Sequence, residues 1–167
     1  MGNERLPSPA HPSTMVQLSV AFTVLATLAT CASAQIIPET VLLMHNSSGL
    51  FLTEEDPKVP SSMLVKSSTR NQKWAIGPGT LLLPTTFKSS KTGNSLSYGE
   101  VEFDSFVYAA AKGKDFVLDR MGNSQYCVIR LAENKEFCLG ITTTELARLE
   151  ECDANDKTQV WELQKAN

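Results

Sequence analysis

An excess of positive charge is the first thing this sequence lacks. Its 15 Lys+Arg against 18 Asp+Glu give a formal net charge of −3, so no basic face is implied and nucleic acid is not expected as a partner. Histidine is scarce: of the two in the chain, only His45 lies beyond residue 34. Set beside the turn "HNSSG", it reads as a surface residue, and nucleophilic catalysis finds little footing. Past residue 34 no stretch approaches the ~18 consecutive apolar residues of a membrane span. Acidic clusters exist in "TEEDPK" and "LEECDAND". Both lack the glycine and terminal glutamate of a calcium loop, so they read as solvated loops, and no metal or cofactor is expected. Amphipathic helical periodicity is missing as well. Only "TTTELARLEE" comes near it, and three threonines argue against a helix there.

The first 34 residues are expected to lie outside the fold. An apolar run from Val16 to Ala29 leads to Ala32-Ser33-Ala34, a small-x-small triplet in the layout of a secretory signal cleaved before Gln35. A buried core helix is the other reading of that run, but the flanking "CASAQ" favours secretion to the extracellular side. The basic n-region is weak, since Arg5 is its only cation before Met15, which leaves Met15 as an alternative start. Residues 35–167 are the size of one domain. Cys31 leaves with the leader, so Cys127, Cys138 and Cys152 remain. An odd number in an oxidising compartment implies one disulfide with a leftover thiol, or a pairing between molecules.

What is present is repetition. Trp74, Phe116 and Trp161 each have an apolar residue two further on, Ile76, Leu118 and Leu163, the spacing of one face of a strand. They recur about every 43 residues, a repeat period in the range of structural arrays. Upstream of each ring stands a leucine, Leu52, Leu96 or Leu139, in "GLFLT", "GNSLS" and "EFCLG". Before these come "TVLLMHNSSG", "TLLLPTTFKSSKTG" and "YCVIRLAENKE", each offering an apolar strand followed by a polar turn. Strand, turn, strand, longer loop, strand, strand, three times over, suits neither a propeller nor a solenoid. It predicts an all-β chain, a β-trefoil of about twelve strands, with repeats near 40–77, 79–119 and 124–165 in a single domain, 35–167. The three rings are then symmetry mates in one core, where truncation costs ~3–5 kcal/mol. Gln72 and Gln159 precede the tryptophans by two residues and are expected on the opposite strand face, free to bond a neighbouring loop.

Gln-x-Trp closing the first and third units, drifted to "KDFVL" in the second, with "CLGITTTELARLEECDANDKTQVWEL" in the third, resembles the ricin B-type lectin family from about Thr40 to Leu163. The resemblance implies a Cys138–Cys152 disulfide, closing a loop worth roughly 3 kcal/mol in the chain-entropy picture. Cys127 then stays free; in "CVIRL" it alternates with Ile129 and Leu131 and reads as a buried thiol, while a Cys127–Cys138 bridge is the other possibility. The resemblance also implies three sugar-contact positions per repeat: an acid after the leucine, a stacking ring, and an amide just before the glutamine.

None of the repeats keeps the full set. In the first, the acid position holds Thr53, followed by Glu54 and Glu55, the ring position falls near Val65, and Asn71 with Gln72 keeps the amides. In the second, Ser97 stands for the acid, Tyr108 for the ring, with Tyr98 near it on the chain, and Gly113 and Lys114 for the amides, with no carboxylate until Glu100. In the third, Gly140 replaces the acid, Glu150 the ring, and Thr158 precedes Gln159. The expected function is therefore a secreted, non-enzymatic binding protein whose glycan sites are weakened or re-purposed. Its candidate contacts are Thr53, Glu54, Glu55, Asn71, Gln72, Ser97 and Tyr108. A protein-binding trefoil, such as a protease inhibitor or a secreted effector acting on a host protein, is the alternative, with "EEDPKVPSSM" as its inserting loop. Asn46-Ser47-Ser48 is an N-glycosylation sequon in a predicted turn, although an unmodified Asx-type turn explains the same residues.

Overall fold

The computed structural model describes residues 40–54, 62–65 as backbone, 72–77, 83–122, 124–153 and 155–167. The expected leader, 1–34, lies outside them, as do Glu55, Asn71 and most of the 53–63 loop. The described residues belong to one unit, Ser33–Asn167. They form strands β1 (Thr40–His45), β2 (Phe51–Glu54), β3 (Ser62–Val65), β4 (Lys73–Ile76), β5 (Phe87–Ser89), β6 (Ser95–Tyr98), β7 (Val107–Ala110), β8 (Phe116–Arg120), β9 (Tyr126–Leu131), β10 (Phe137–Ile141), β11 (Ala147–Glu151) and β12 (Val160–Lys165). In the segment with three threonines, Thr142–Thr144 lie in the turn and Ala147–Glu151 form β11.

Period-two patterning places these strands. In β9, Cys127, Ile129 and Leu131 point inward and are fully buried; in β12, Trp161 is fully buried and Leu163 nearly so. Six strands close a ring. β1 pairs with β12 and β4, β12 with β9, β9 with β8, and β4 with β5. The last gap is shut by an isolated bridge, Thr85 to Phe116, with both backbone bonds at 2.8 Å. The other six strands form hairpins β2–β3, β6–β7 and β10–β11, and β3, β7 and β11 lie against one another pairwise. A closed barrel under a triplet of hairpins is a β-trefoil.

The internal threefold is visible in single bonds. The residue before each marker ring accepts an N–H from the first turn of the following unit: Asn46 N to Val160 O at 2.9 Å, Ser90 N to Lys73 O at 2.8 Å, and Ala132 N to Asp115 O at 3.0 Å. Trp74, Phe116 and Trp161 are all fully buried in one core with Leu52, Leu96 and Leu139. The indole N–H of Trp74 donates to Leu52 O at 3.0 Å, and that of Trp161 to Leu139 O at 2.8 Å. Phe116 has no such donor; Leu96 O takes the backbone N–H of Lys114 instead, at 3.0 Å.

Three expectations need correction. The first strand of the second unit is built from Phe87–Ser89 and not from the leucines of "TLLLP"; Leu83 is exposed, and Pro84, which has no N–H, separates it from the Thr85 bridge. Ser62 and Met63, placed in an exposed loop, begin β3. His45 is not a surface residue but fully buried. It sits edge-on to Trp161, ring centroids 5.4 Å apart, because its strand position shares the inward face of Val41 and Leu43.

Candidate functional site

In the first repeat the predicted contacts are turned into internal bonds. Thr53 is buried, donating to Phe51 O at 2.8 Å and accepting Gln72 Nε2 at 3.0 Å. Glu54 is buried too. It accepts the Thr92 hydroxyl at 2.6 and 2.8 Å and Asn94 Nδ2 at 3.1 Å, so it fastens β2 to the turn of the second repeat. Such charge-assisted bonds are roughly twice as strong as neutral ones, and they leave this carboxylate little capacity for a ligand. Gln72 and Gln159 are buried just ahead of their strands, and Gln159 bonds the neighbouring loop as expected. Gln159 ends a 3-10 turn, Lys157–Gln159, and its amide donates to Glu151 O at 2.7 Å while accepting Asp153 N at 2.9 Å.

The second repeat brings Ser97 directly opposite Tyr108. Ser97 is buried and Tyr108 half-buried, with its hydroxyl donating to Tyr98 O at 3.3 Å. Tyr98 itself is buried and donates to Glu133 at 2.8 Å, and the Lys114 ammonium lies 5.0 Å from its ring centroid. Burial first, then the bond to Glu133, pushes the Tyr98 phenol up, and that same bond holds the Glu133 carboxyl below the usual carboxylate range. Gly113 allows the backbone to close in: a Cβ there would lie 2.3 Å from Ser95 Cβ. The amide side chain that the lectin pattern wants has no room.

The third repeat differs. Gly140 lacks the acid, yet a Cβ on Gly140 would lie 2.4 Å from Glu150 Oε2. Glu150 therefore reaches across from β11 and fills the space over Gly140 with a carboxylate that is itself buried. It accepts Arg148 Nε at 2.9 Å and Gln159 Nε2 at 3.3 Å, with the Thr158 hydroxyl 3.4 Å away. Arg148 also donates to Asp104 at 2.5 Å; that bond, opposed by burial and aided by Glu150, raises the guanidinium's pKa. Asp156 caps the 3-10 turn by accepting the Thr158 hydroxyl and N–H, which hold its carboxyl low. Beside this carboxylate–guanidinium pair, the loop between β6 and β7 bonds to β11, with Asp104 N to Leu149 O at 2.9 Å and Leu149 N to Ser105 O at 2.8 Å. The loop holds Phe103 62% and Phe106 50% exposed, and the Arg148 guanidinium carbon stands 5.6 Å from the Phe103 ring centroid.

Sequence reasoning assigned Glu150 to the ring position and passed over Phe103, Asp104 and Arg148. The available signal was "EFDSF", two phenylalanines in a loop, and a glycine facing a strand that carries a glutamate. Cys138 and Cys152 are joined in a disulfide. Cys127 is free and buried, its thiol pushed up to about 12 by burial. Asn46 is exposed at the tip of the β1–β2 turn. Among the described residues no three His, Cys, Asp or Glu side chains gather to hold a metal ion.

No protein-family model and no curated protein matches the sequence. Solved structures do. A ricin B-like lectin from Macrolepiota procera, in complex with lactose, superposes with a TM-score of 0.68 at 15% identity, over 79% of this chain and 99% of that one. The Rhizoctonia solani agglutinin gives 0.65 at 15%, over 78% and 97%. A salivary protein from Culex, of a cysteine- and tryptophan-rich family, gives 0.61 at 19%, over 80% and 98%. Together with the closed barrel, the hairpin triplet and the repeated bonds, these likenesses make the chain a β-trefoil.

Proposed function

We propose that this is a secreted, non-enzymatic binding protein of the ricin B-like kind that takes a glycan on its third repeat. The observation that carries the reading is the Glu150 carboxylate standing over Gly140, where the lectin pattern puts its acid. A sugar needs acceptors for its hydroxyls and a flat apolar surface for its C–H face. Thr158 and the Asp104–Arg148 pair, with Arg148 held in place by the buried Glu150, offer the polar side, and the exposed ring of Phe103 offers the other. Lectin-type neighbours, one of them with lactose bound, support the ligand class. Catalysis is disfavoured because His45 is sealed in the core and the Cys127 thiol is buried and protonated at neutral pH.

A glycan array probed with the mature protein tests this. Binding should be present, should fall at least tenfold in Phe103→Ala and Glu150→Gln, and should survive Tyr108→Phe, which the site does not use. An array silent for the unaltered protein sinks the glycan reading. A second reading, protein binding, is favoured by the exposure of Phe103 and Phe106 on one hydrogen-bonded loop, since aromatic side chains anchor protein interfaces. A silent array together with a captured protein that Phe106→Ala releases would establish it.

A further inference from the structure

The cleft beside the β1–β2 turn belongs to neither reading above. It has a volume of about 380 Å³ and is lined by Asn46, Met121, Tyr126, Asn155, Asp156, Lys157 and Val160. Its walls come from separate places in the chain, and register explains why they meet. Met44 and Tyr126 are each paired with Glu162, and the bond from Asn46 N to Val160 O extends the β1–β12 ladder by one residue. Asn46, Tyr126 and Val160 therefore share the outward face, opposite His45, Cys127 and Trp161. Met121 joins them through its N–H to Tyr126 O, at 3.0 Å.

The cleft is two-sided in character. Met121, Tyr126 and Val160 form an apolar wall, and Met121 is 47% exposed. Asn155, Asp156 and Lys157 supply hydrogen-bonding groups at the other side, Asp156 committing Oδ1 to Thr158. One wall residue, Asn46, heads the tripeptide Asn46-Ser47-Ser48, the acceptor sequence for N-linked sugar.

From this juxtaposition we infer that the cleft is the seat of the protein's own sugar: Asn46 is N-glycosylated, and the first N-acetylhexosamine folds back onto Tyr126 and Met121. A lipid-diphosphate-linked oligosaccharide is the donor. The bond formed joins Asn46 Nδ2 to C1 of the first sugar, the bond broken frees the lipid diphosphate from that carbon, and the amide proton passes to a base of the transferase. The acetyl methyl and C–H face cover the apolar wall, and the hydroxyls meet Asn155, Asp156 and Lys157. The inference rests on the secreted part of the reading above and is independent of the third-repeat site.

The full chain expressed in insect cells tests it. The exported protein should lose the mass of a glycan on treatment with an amidase that releases N-linked sugar, and both Asn46→Gln and Ser48→Ala should remove that difference. Export without the modification overturns this inference and leaves secretion standing; retention in the cytosol, unmodified, overturns both. For the seat itself, the glycan is trimmed to a single N-acetylhexosamine and its acetyl methyl followed by NMR. A ring-current shift that vanishes in Tyr126→Leu is expected. An acetyl methyl at the position of a free sugar, in a folded and glycosylated protein, overturns the seat.

Discussion

The indole N–H of Trp161 donates to the Leu139 carbonyl at 2.8 Å, and the same bond joins Trp74 to Leu52. Each Trp thus fills the core and also satisfies a buried strand carbonyl at the foot of a hairpin. An unmet buried carbonyl is costly, which is why the phenylalanine repeat supplies Lys114 N in the indole's stead.

Trp161→Phe should therefore cost more than its small loss of volume. It leaves Leu139 O without a donor, a penalty of about 1–3 kcal/mol. Urea titration should show a lower midpoint with an unchanged slope, because the fold persists. A midpoint equal to that of the unaltered protein would mean that the bond is replaced by solvent.

Gly113→Ala should destabilise the second repeat. The new carbon would meet Ser95 Cβ at 2.3 Å and Leu96 O at 3.2 Å, and neither belongs to a flexible side-chain end. Overpacking of this kind costs about 1–3 kcal/mol. Thermal unfolding monitored by circular dichroism is the check, and an unshifted midpoint would contradict the close approach of backbone at Leu96.

His45 should make stability fall as the pH drops below neutrality. Its Nε2 donates to Thr158 O at 3.1 Å and its Nδ1 lies 2.8 Å from Ser48 Oγ, an arrangement that suits the neutral ring. Burial lowers its pKa from 6.5, only partly opposed by the Thr158 carbonyl and by Glu150 and Asp156. The unfolded chain then takes up the proton first as pH falls. Stability is full above the unfolded value and declines from there down to the folded one. Glu133 and Asp156, held below 4.5 and 3.8, lose their contributions only at lower pH. The urea midpoint should decline between neutral pH and about pH 5, and His45→Gln should flatten that decline.

Reduction should cost the protein roughly 3 kcal/mol through the loss of the Cys138–Cys152 loop constraint. Before reduction, a thiol reagent at neutral pH should leave Cys127 unlabelled in the folded protein and label it after unfolding. Rapid labelling of the folded protein would contradict the burial that raises the Cys127 thiol.

Much of the fold was legible because it is written in short-range pattern. The ring spacing, the alternation in "CVIRL" and the leucines ahead of each ring all needed only a period of two and a period of about 43. Glycine marks two of the turns: Gly49 and Gly93 have φ of 68° and 77°, at matching places in "HNSSG" and "SSKTG". The candidate site was far less legible. Thr53, Glu54, Gln72 and Ser97 hold the positions assigned to ligand contact, but the structure uses them as buried packing and internal bonding. Polarity in a one-dimensional string does not say whether a side chain's partner is a ligand or another strand.

Chain order alone accounts for the threefold and for most strands and their inward faces, because alternation is a property of neighbours along the backbone; the strand Phe87–Ser89, the start of β3 and the burial of His45 needed the fold. Glu150 over Gly140, Glu54 on the turn of the next repeat, Lys114 in place of an indole, and Asn46 beside Tyr126 came only with the folded form. Each depends on the register between strands or on segments tens of residues apart. A one-residue slip would send those side chains to the opposite face.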